Sequence, residues 1–305
     1  MKKELGRNRK FRIYSALMDA AIKQKAKDVM PWIKSGLIVD AGFGTGLLLF
    51  KIWEKFPNSR FIGIDISSHF FKKAQQQFRG IKNITLLKKN VIQKNLPNNS
   101  VDTKIFSTIL HEVYSYNDYD IQFIKTALKN SFKELKPGGR VIIRDGIQPP
   151  PAKWCLALNS HDGKSNPRLH PRFLSTQAIF LKFIREFKKG RGTKCQKTTG
   201  PKKESFYCLN SADAYEFLSK KDYRANWHLE IHEQFGYLTL PKYKKMLQNI
   251  GFKVIFARSY RNPWIIKNRW QGKVKIYKKT KKGLSPLPFP DTNVVIAAEK
   301  PKKTS

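Results

Sequence analysis

Leu37-Ile38-Val39-Asp40-Ala41-Gly42-Phe43-Gly44-Thr45-Gly46 is the stretch on which the fold turns. Its apolar start reads as a buried strand. Its three alternating glycines read as a tight turn that reaches positive φ and lets a ligand approach the backbone. Leu49, Ile52, Trp53 and Phe56 then recur at helical spacing until Pro57-Asn58 ends the pattern. The unit is strand, glycine loop, helix. Residues Arg60 to Asp65 add a second strand, which closes a βαβ pattern and sets an acidic side chain 19 residues beyond Gly46.

The alternation continues with a short strand from Ile84 to Leu87 and a longer one from Val101 to Leu110 that ends at His111-Glu112. A helix with the apolar stripe Ile121, Ile124, Leu128, Phe132 and Leu135 follows, capped by Asn117 or Asp118 and ended by Pro137-Gly138-Gly139. Strand Arg140 to Asp145 comes next. Further on, helix Lys242 to Asn249, a stop at Gly251, and strands Phe252 to Ala257 and Asn293 to Ala298 resume the same pattern. The expected fold is α/β: a Rossmann-like, mostly parallel seven-stranded sheet with helices on both faces, binding ligands beyond the carboxyl ends of its strands.

Gln148-Pro149-Pro150-Pro151 interrupts the alternation. Residues 172 to 188 then read as a basic amphipathic helix, 190 to 203 as a polar, positively charged mobile loop, and Ser211 to Leu218 as a short capped helix. Residues 226 to 237 mix aromatics with His228, Glu230, His232 and Glu233. No internal repeat is visible. The expected organisation is an N-terminal helical segment (1–34), a core (35–148), a basic and aromatic cap insertion between the fifth strand and the last helix (149–240), and closing elements of the core with a basic tail (241–305).

Sixty Lys and Arg against 22 Asp and Glu leave a formal net charge of +38, which attracts polyanions; scattered lysines also arise from proteome bias alone. Cys155, Cys195 and Cys208 are too few and too far apart in the chain for a disulfide framework or a Cys-x-x-Cys zinc site, so a reducing, cytoplasmic setting is expected. The first residues lead into no apolar stretch of signal-peptide type, and no segment approaches the ~20 apolar residues of a membrane span. A soluble protein is expected, with peripheral membrane contact left open.

The glycine loop discriminates among cofactors. A dinucleotide fingerprint needs Gly-x-Gly-x-x-Gly, yet position 47 is Leu47 and the spacing is Gly-x-Gly-x-Gly. Asp40 would repel a pyrophosphate at this point but suits a cationic ligand, and Asp65 can accept both hydroxyls of a ribose. With these residues in view, Val39 to Gly46 resembles the first motif of class I S-adenosylmethionine-dependent methyltransferases. Asp65 is similar to that family's ribose-binding acid. Asn90-Val91 with Leu96-Pro97 resembles its adenine segment, with Asn90 where Asp is usual, and Leu135-Lys136-Pro137-Gly138-Gly139 resembles its turn before the fifth strand.

The resemblance implies S-adenosyl-L-methionine as cofactor, held by Asp40, Gly42, Phe43, Gly44, Thr45, Gly46, Asp65, Ile66, Asn90, Val91 and Thr108. Because the sulfonium already activates the methyl group, the protein mainly positions the acceptor and removes a proton where one must leave. His111 is the first candidate base, and Glu112, Asp145 and Tyr114 come second. Tyr114, His228, His232 and Glu233 are expected to face the acceptor. Metal binding is not expected: His111-Glu112 begins a His-Glu-x-x-His pattern, but position 115 is Ser115, and the aromatics around His228 and His232 read as a packed cap. Three functions stay open: a methyltransferase for a small-molecule or lipid-precursor acceptor, an RNA methyltransferase (of tRNA or rRNA) using the basic insertion, and a non-catalytic basic binding module.

Overall fold

The computed structural model describes residues 21–187, 193–199, 204–281 and 283–302. They form two compact units. The first contains residues 21–146, Leu240–Arg258 and 294–302.

In the first unit, α1 (Ile22–Val29) precedes β1 (Leu37–Ala41), which leads through the glycine loop into α2 (Leu47–Lys55). β2 (Arg60–Asp65), α3 (Ser68–Gln77), β3 (Ile84–Lys88), β4 (Val101–Ser107), α4 (Leu110–Ser115), α5 (Ile121–Glu134) and β5 (Leu135–Gly146) follow. α9 (Leu240–Ile250), β9 (Lys253–Tyr260) and β12 (Asn293–Glu299) complete it. The sheet order is β3-β2-β1-β4-β5-β12-β9. β1 pairs in parallel with both β2 and β4, setting Ala41 beside Phe106. The strand order therefore reverses between β1 and β4, and the loops leaving these two strands flank the crevice in which such sheets bind ligands. Ile38, Ile52, Phe61, Ile105 and Ile142 form the core between sheet and helices.

Several local expectations are corrected. The fourth strand stops at Ser107, and His111 and Glu112 lie in α4. Asp120 caps α5 by accepting from the Gln122 amide, while Asn117 donates to the Val113 carbonyl and Asp118 adopts φ +56°. Pro137-Gly138-Gly139 falls inside β5, where the register with β4 shifts between Val101 and Thr103. Lys104 of β4 and Glu134, which ends α5, form an ion pair of two fully buried side chains at 2.6 Å. Burial pushes the Lys104 pKa down, and Glu134 opposes that. The second oxygen of Glu134 accepts from the amides of Asn95 (2.6 Å) and Leu96 (3.1 Å), pinning the loop after β3.

The second unit contains Ile147–Thr239 and Ser259–Asn293. Residues 259–293, expected among the closing elements of the core, belong here. β6 (Lys153–Leu158), β7 (Gln196–Thr199), β8 (Ser205–Asn210), β10 (Val274–Thr280) and β11 (Gly283–Leu287) build an antiparallel sheet of order β11-β10-β6-β8-β7. α6 (Thr176–Glu186) and α7 (Ser211–Lys220) cover one face, with Phe180, Phe183 and Phe217 packed on Trp154, Leu156 and Trp270. Ser175 caps α6, so the basic helix is shorter than 172–188, and Pro171–Phe173 forms a separate turn; Lys188 lies outside the described residues. Of the expected loop 190–203, residues 196–199 form β7, while 190–192 and 200–203 lie outside the described residues. α8 (Trp227–Glu230) is a single turn.

Cys155 and Cys208 occupy opposed positions on β6 and β8 and form a disulfide across a sequence separation of 53 residues. This corrects the expectation drawn from their spacing, because antiparallel pairing joins residues of any separation. Among the described residues no helix is long and apolar enough to cross a membrane.

Candidate functional site

The chain leaves β1 through Gly42, Gly44 and Gly46, with φ of +83°, +55° and +77°. At Gly42 a side chain is excluded twice over, since a Cβ would also lie 2.6 Å from Ile109 Cγ1. The Gly42 amide donates to the Ile64 carbonyl at 2.7 Å, tying the loop to the end of β2. Asp65, the last residue of β2, accepts from the Gly44 amide through Oδ2 (2.9 Å) and from the Ser67 amide through Oδ1 (2.8 Å). Burial pushes its pKa up, and these backbone bonds hold it down. The Ile66 amide faces the same carboxylate, whose remaining acceptor capacity is open to a ligand hydroxyl. The half-buried Ile66 follows, and Phe43 and Thr45 are buried within the loop.

Asp40 is the unusual group. It is 1% exposed, and neither carboxyl oxygen has a hydrogen-bond partner among the described residues. Burial raises its pKa from the ordinary 3.8 to about 7, with the Lys25 ammonium pulling it down and Asp65 pushing it up. Buried carboxyls are ordinarily bonded, so an orphaned one is costly unless a ligand donates to it. Asp40 lines a small cavity with Ile22 and Lys25 of α1, Gly42, Thr45 and Ser107, whose hydroxyl is likewise buried without a partner among the described residues. At about 20 Å³ the space admits one water, and anything larger requires its lining to rearrange. A ligand carrying an ammonium group and a ribose fits this donor-poor, acceptor-rich pair of carboxylates. Lys25 and Ser107 were missed by sequence reasoning. Lys25 lies on an ordinary amphipathic stripe with Ile22, Ala26 and Val29, and Ser107 is one polar residue in a strand; neither has a spacing signal.

Beyond β4, Thr108 takes φ +62°, and its amide donates to the Arg144 carbonyl at 2.7 Å. Arg144 donates back to the Thr108 hydroxyl (3.3 Å) and to Asp28 of α1 (2.9 Å), clamping that helix to β5. His111 follows in α4, buried against Asp145 at the end of β5. Asp145 Oδ2 accepts from the His111 amide (3.0 Å), and Oδ1 lies 2.6 Å from His111 Nδ1 while accepting from the Gly146 amide (2.9 Å). A carboxylate at Nδ1 assigns the proton of a neutral imidazole to that nitrogen, leaving Nε2 as the one able to accept a proton. Glu112 is half-buried beside it, and the Tyr114 ring meets Tyr119 edge-on at 5.7 Å. Asn90 Oδ1 accepts from the Ile92 amide (3.0 Å), Val91 is buried, and Glu134 holds the loop from below.

The residues of segment 226–237 separate. His228 and His232, one helical turn apart, line a common cavity of the second unit. Glu233 is instead buried in the field of Lys220, together with Glu216 and Glu230. Glu216 pairs with Lys220 and also accepts from the amides of Phe235 (3.0 Å) and Gly236 (2.6 Å), so this acid cluster organises the segment.

Residues 34–184 match a family model described as a methyltransferase domain. Over 128 residues, 42% of this chain, the protein is 30% identical to the O-methyltransferase gsfB of Penicillium aethiopicum, covering 28% of that protein. Over 74 residues, 23% of this chain, it is 32% identical to the tRNA (guanine-N(7)-)-methyltransferase of Thermotoga maritima, covering 24% of it. The aligned stretches thus span about a quarter of the length of these curated relatives. A solved S-adenosylmethionine dependent methyltransferase from Mesorhizobium loti superposes with a TM-score of 0.53 at 14% identity, covering 92% of this chain and 99% of that one, and so shares the fold. The strand order, with the glycine loop at its reversal, agrees with the domain match: residues 34–184 carry a methyltransferase domain, on the fold of the class I S-adenosylmethionine-dependent methyltransferases.

Proposed function

We propose that this protein methylates a small-molecule or lipid-precursor acceptor at an atom that loses a proton, with His111 as the base. The buried His111–Asp145 pair carries the reading, since its geometry is that of an oriented proton acceptor. S-adenosylmethionine, when bound, supplies a methyl group activated by a sulfonium. Asp40 would receive its ammonium group and Asp65 its ribose hydroxyls, with Gly42, Phe43, Gly44, Thr45, Gly46 and Thr108 as the residues that would line the approach and Ile66, Asn90 and Val91 those that would hold the adenine. The acceptor's proton passes to His111 Nε2, while Asp145 keeps Nδ1–H in place and stabilises the imidazolium. Glu112 and Tyr114 of α4 are further polar side chains for acceptor contact. Similarity to an O-methyltransferase supports an acceptor of this kind.

A second reading, RNA methylation, is favoured by the net charge of +38 and by the similarity to a tRNA methyltransferase. Transfer of radiolabelled methyl from S-adenosylmethionine into a host-cell extract separates the two, with Asp40→Asn as control and with and without RNase. Solvent-extractable, RNase-resistant label is expected. RNase-sensitive label in macromolecules would replace the proposal with the RNA reading, and no label despite cofactor binding would leave a non-catalytic binding module.

A further inference from the structure

The second unit contains a cavity of its own, about 590 Å³. Its floor is apolar, formed by the buried Pro171, Trp227 and Ile231. Lys182 and Arg185 of α6 and Arg224, just before α8, line it as well, with His228 and His232. Glu186 is the one carboxylate among the lining residues. It is already committed, accepting from Lys182 at 2.7 Å and from the Trp227 indole N–H at 2.8 Å. No carboxylate among the described residues pairs with Arg185 or Arg224. Arg185 is exposed, whereas Arg224 is held in place by donating Nη1 to the Leu174 carbonyl (2.6 Å) and Nε to the Lys221 carbonyl (3.2 Å). Two guanidinium groups therefore line one concave space without an acid to offset them, and one of them is oriented by the backbone before any ligand arrives.

The volume lies within the range of small-molecule sites, ~300–1,000 Å³. Guanidinium groups recognise the oxygens of phosphate in paired hydrogen bonds, and the surplus of two charges matches a dianion better than a single carboxylate. The apolar floor adds a surface that inorganic phosphate cannot use. We propose that this cavity binds a small phosphorylated molecule with an aromatic or apolar body. The proposal does not rest on methyl transfer.

Isothermal titration of the full chain with phenyl phosphate, phenol, inorganic phosphate and a short single-stranded RNA tests it. Phenyl phosphate is expected to bind saturably and more tightly than inorganic phosphate, with no binding of phenol. Arg185→Gln, at an exposed position that makes no structural bond among the described residues, is expected to weaken phenyl phosphate about three- to tenfold while leaving S-adenosylmethionine affinity unchanged. Arg224→Lys, which keeps the charge but not the paired donors, is expected to weaken it similarly. Absence of saturable phenyl phosphate binding overturns the proposal, as does equal affinity in Arg185→Gln. Tight RNA binding that displaces phenyl phosphate and depends on Arg185 also overturns it, in favour of a polynucleotide site.

Discussion

Asp40→Asn tests the burial of a carboxyl that has no hydrogen-bond partner among the described residues. An isolated carboxyl titrates at 3.8, and in the folded protein Asp40 does so at about 7. Between these values the folded state holds a proton that the unfolded chain has released, so stability falls as pH rises through the window. Each pH unit is worth about 1.36 kcal/mol, which makes the ionised carboxylate at pH 8 cost about 4 kcal/mol relative to a side chain that does not titrate. Asparagine preserves shape, and its own unmet hydrogen bonds add an offset that is independent of pH. Urea unfolding of both proteins from pH 4 to 9 therefore has the difference between them as its readout, in which other titrating groups cancel. The variant is expected to gain on the wild type as pH rises to about 8 and to hold level above it. Its S-adenosylmethionine affinity is expected to fall about 10- to 100-fold, for loss of a charge-assisted bond. A stability difference that does not change with pH would refute the placement of an unpartnered acid at this site.

Asp145→Asn is expected to lower methyl transfer about 10²- to 10⁴-fold by disrupting the orientation and charge stabilisation of His111, while cofactor affinity persists; unchanged turnover would remove the pair from the mechanism. Lys104→Met leaves Glu134 buried without its cation and is expected to cost about 3–5 kcal/mol in urea titration, largely recovered in Lys104→Met with Glu134→Leu. Equal instability of the double variant would show that the bonds from Glu134 to Asn95 and Leu96 matter more than the charge. Replacing Cys155 and Cys208 by alanine opens a cross-link spanning 53 residues and is expected to cost roughly 4 kcal/mol. If reductant then lowers the stability of the wild type and leaves the variant untouched, the pairing is confirmed; equal sensitivity would contradict it.

The α/β core was legible because its signals are local. Strand, glycine loop and helix lie within residues 37–55, and the acid that anchors the loop ends the next strand. What failed depended on residues far apart in the chain. β10 carries an alternating pattern at Val274–Thr280, but nothing nearby announces that it pairs with β6 more than a hundred residues earlier, in a second unit. Cys155 and Cys208 meet for the same reason, as opposed positions on antiparallel strands. His111 left the strand because positive φ at Thr108 turns the chain into α4, a conformation that residue type does not predict. Residue order by itself thus determined the class of the fold, the glycine loop, and the identity of Asp40 and Asp65, since these follow from periodicity and steric freedom over a few residues. Only the tertiary structure decided that Asp40 is buried without a partner among the described residues, that Lys25 and Ser107 share its cavity, that Asp145 meets His111, and that Arg185 and Arg224 line one space. Desolvation and the approach of charges depend on which distant segments pack together.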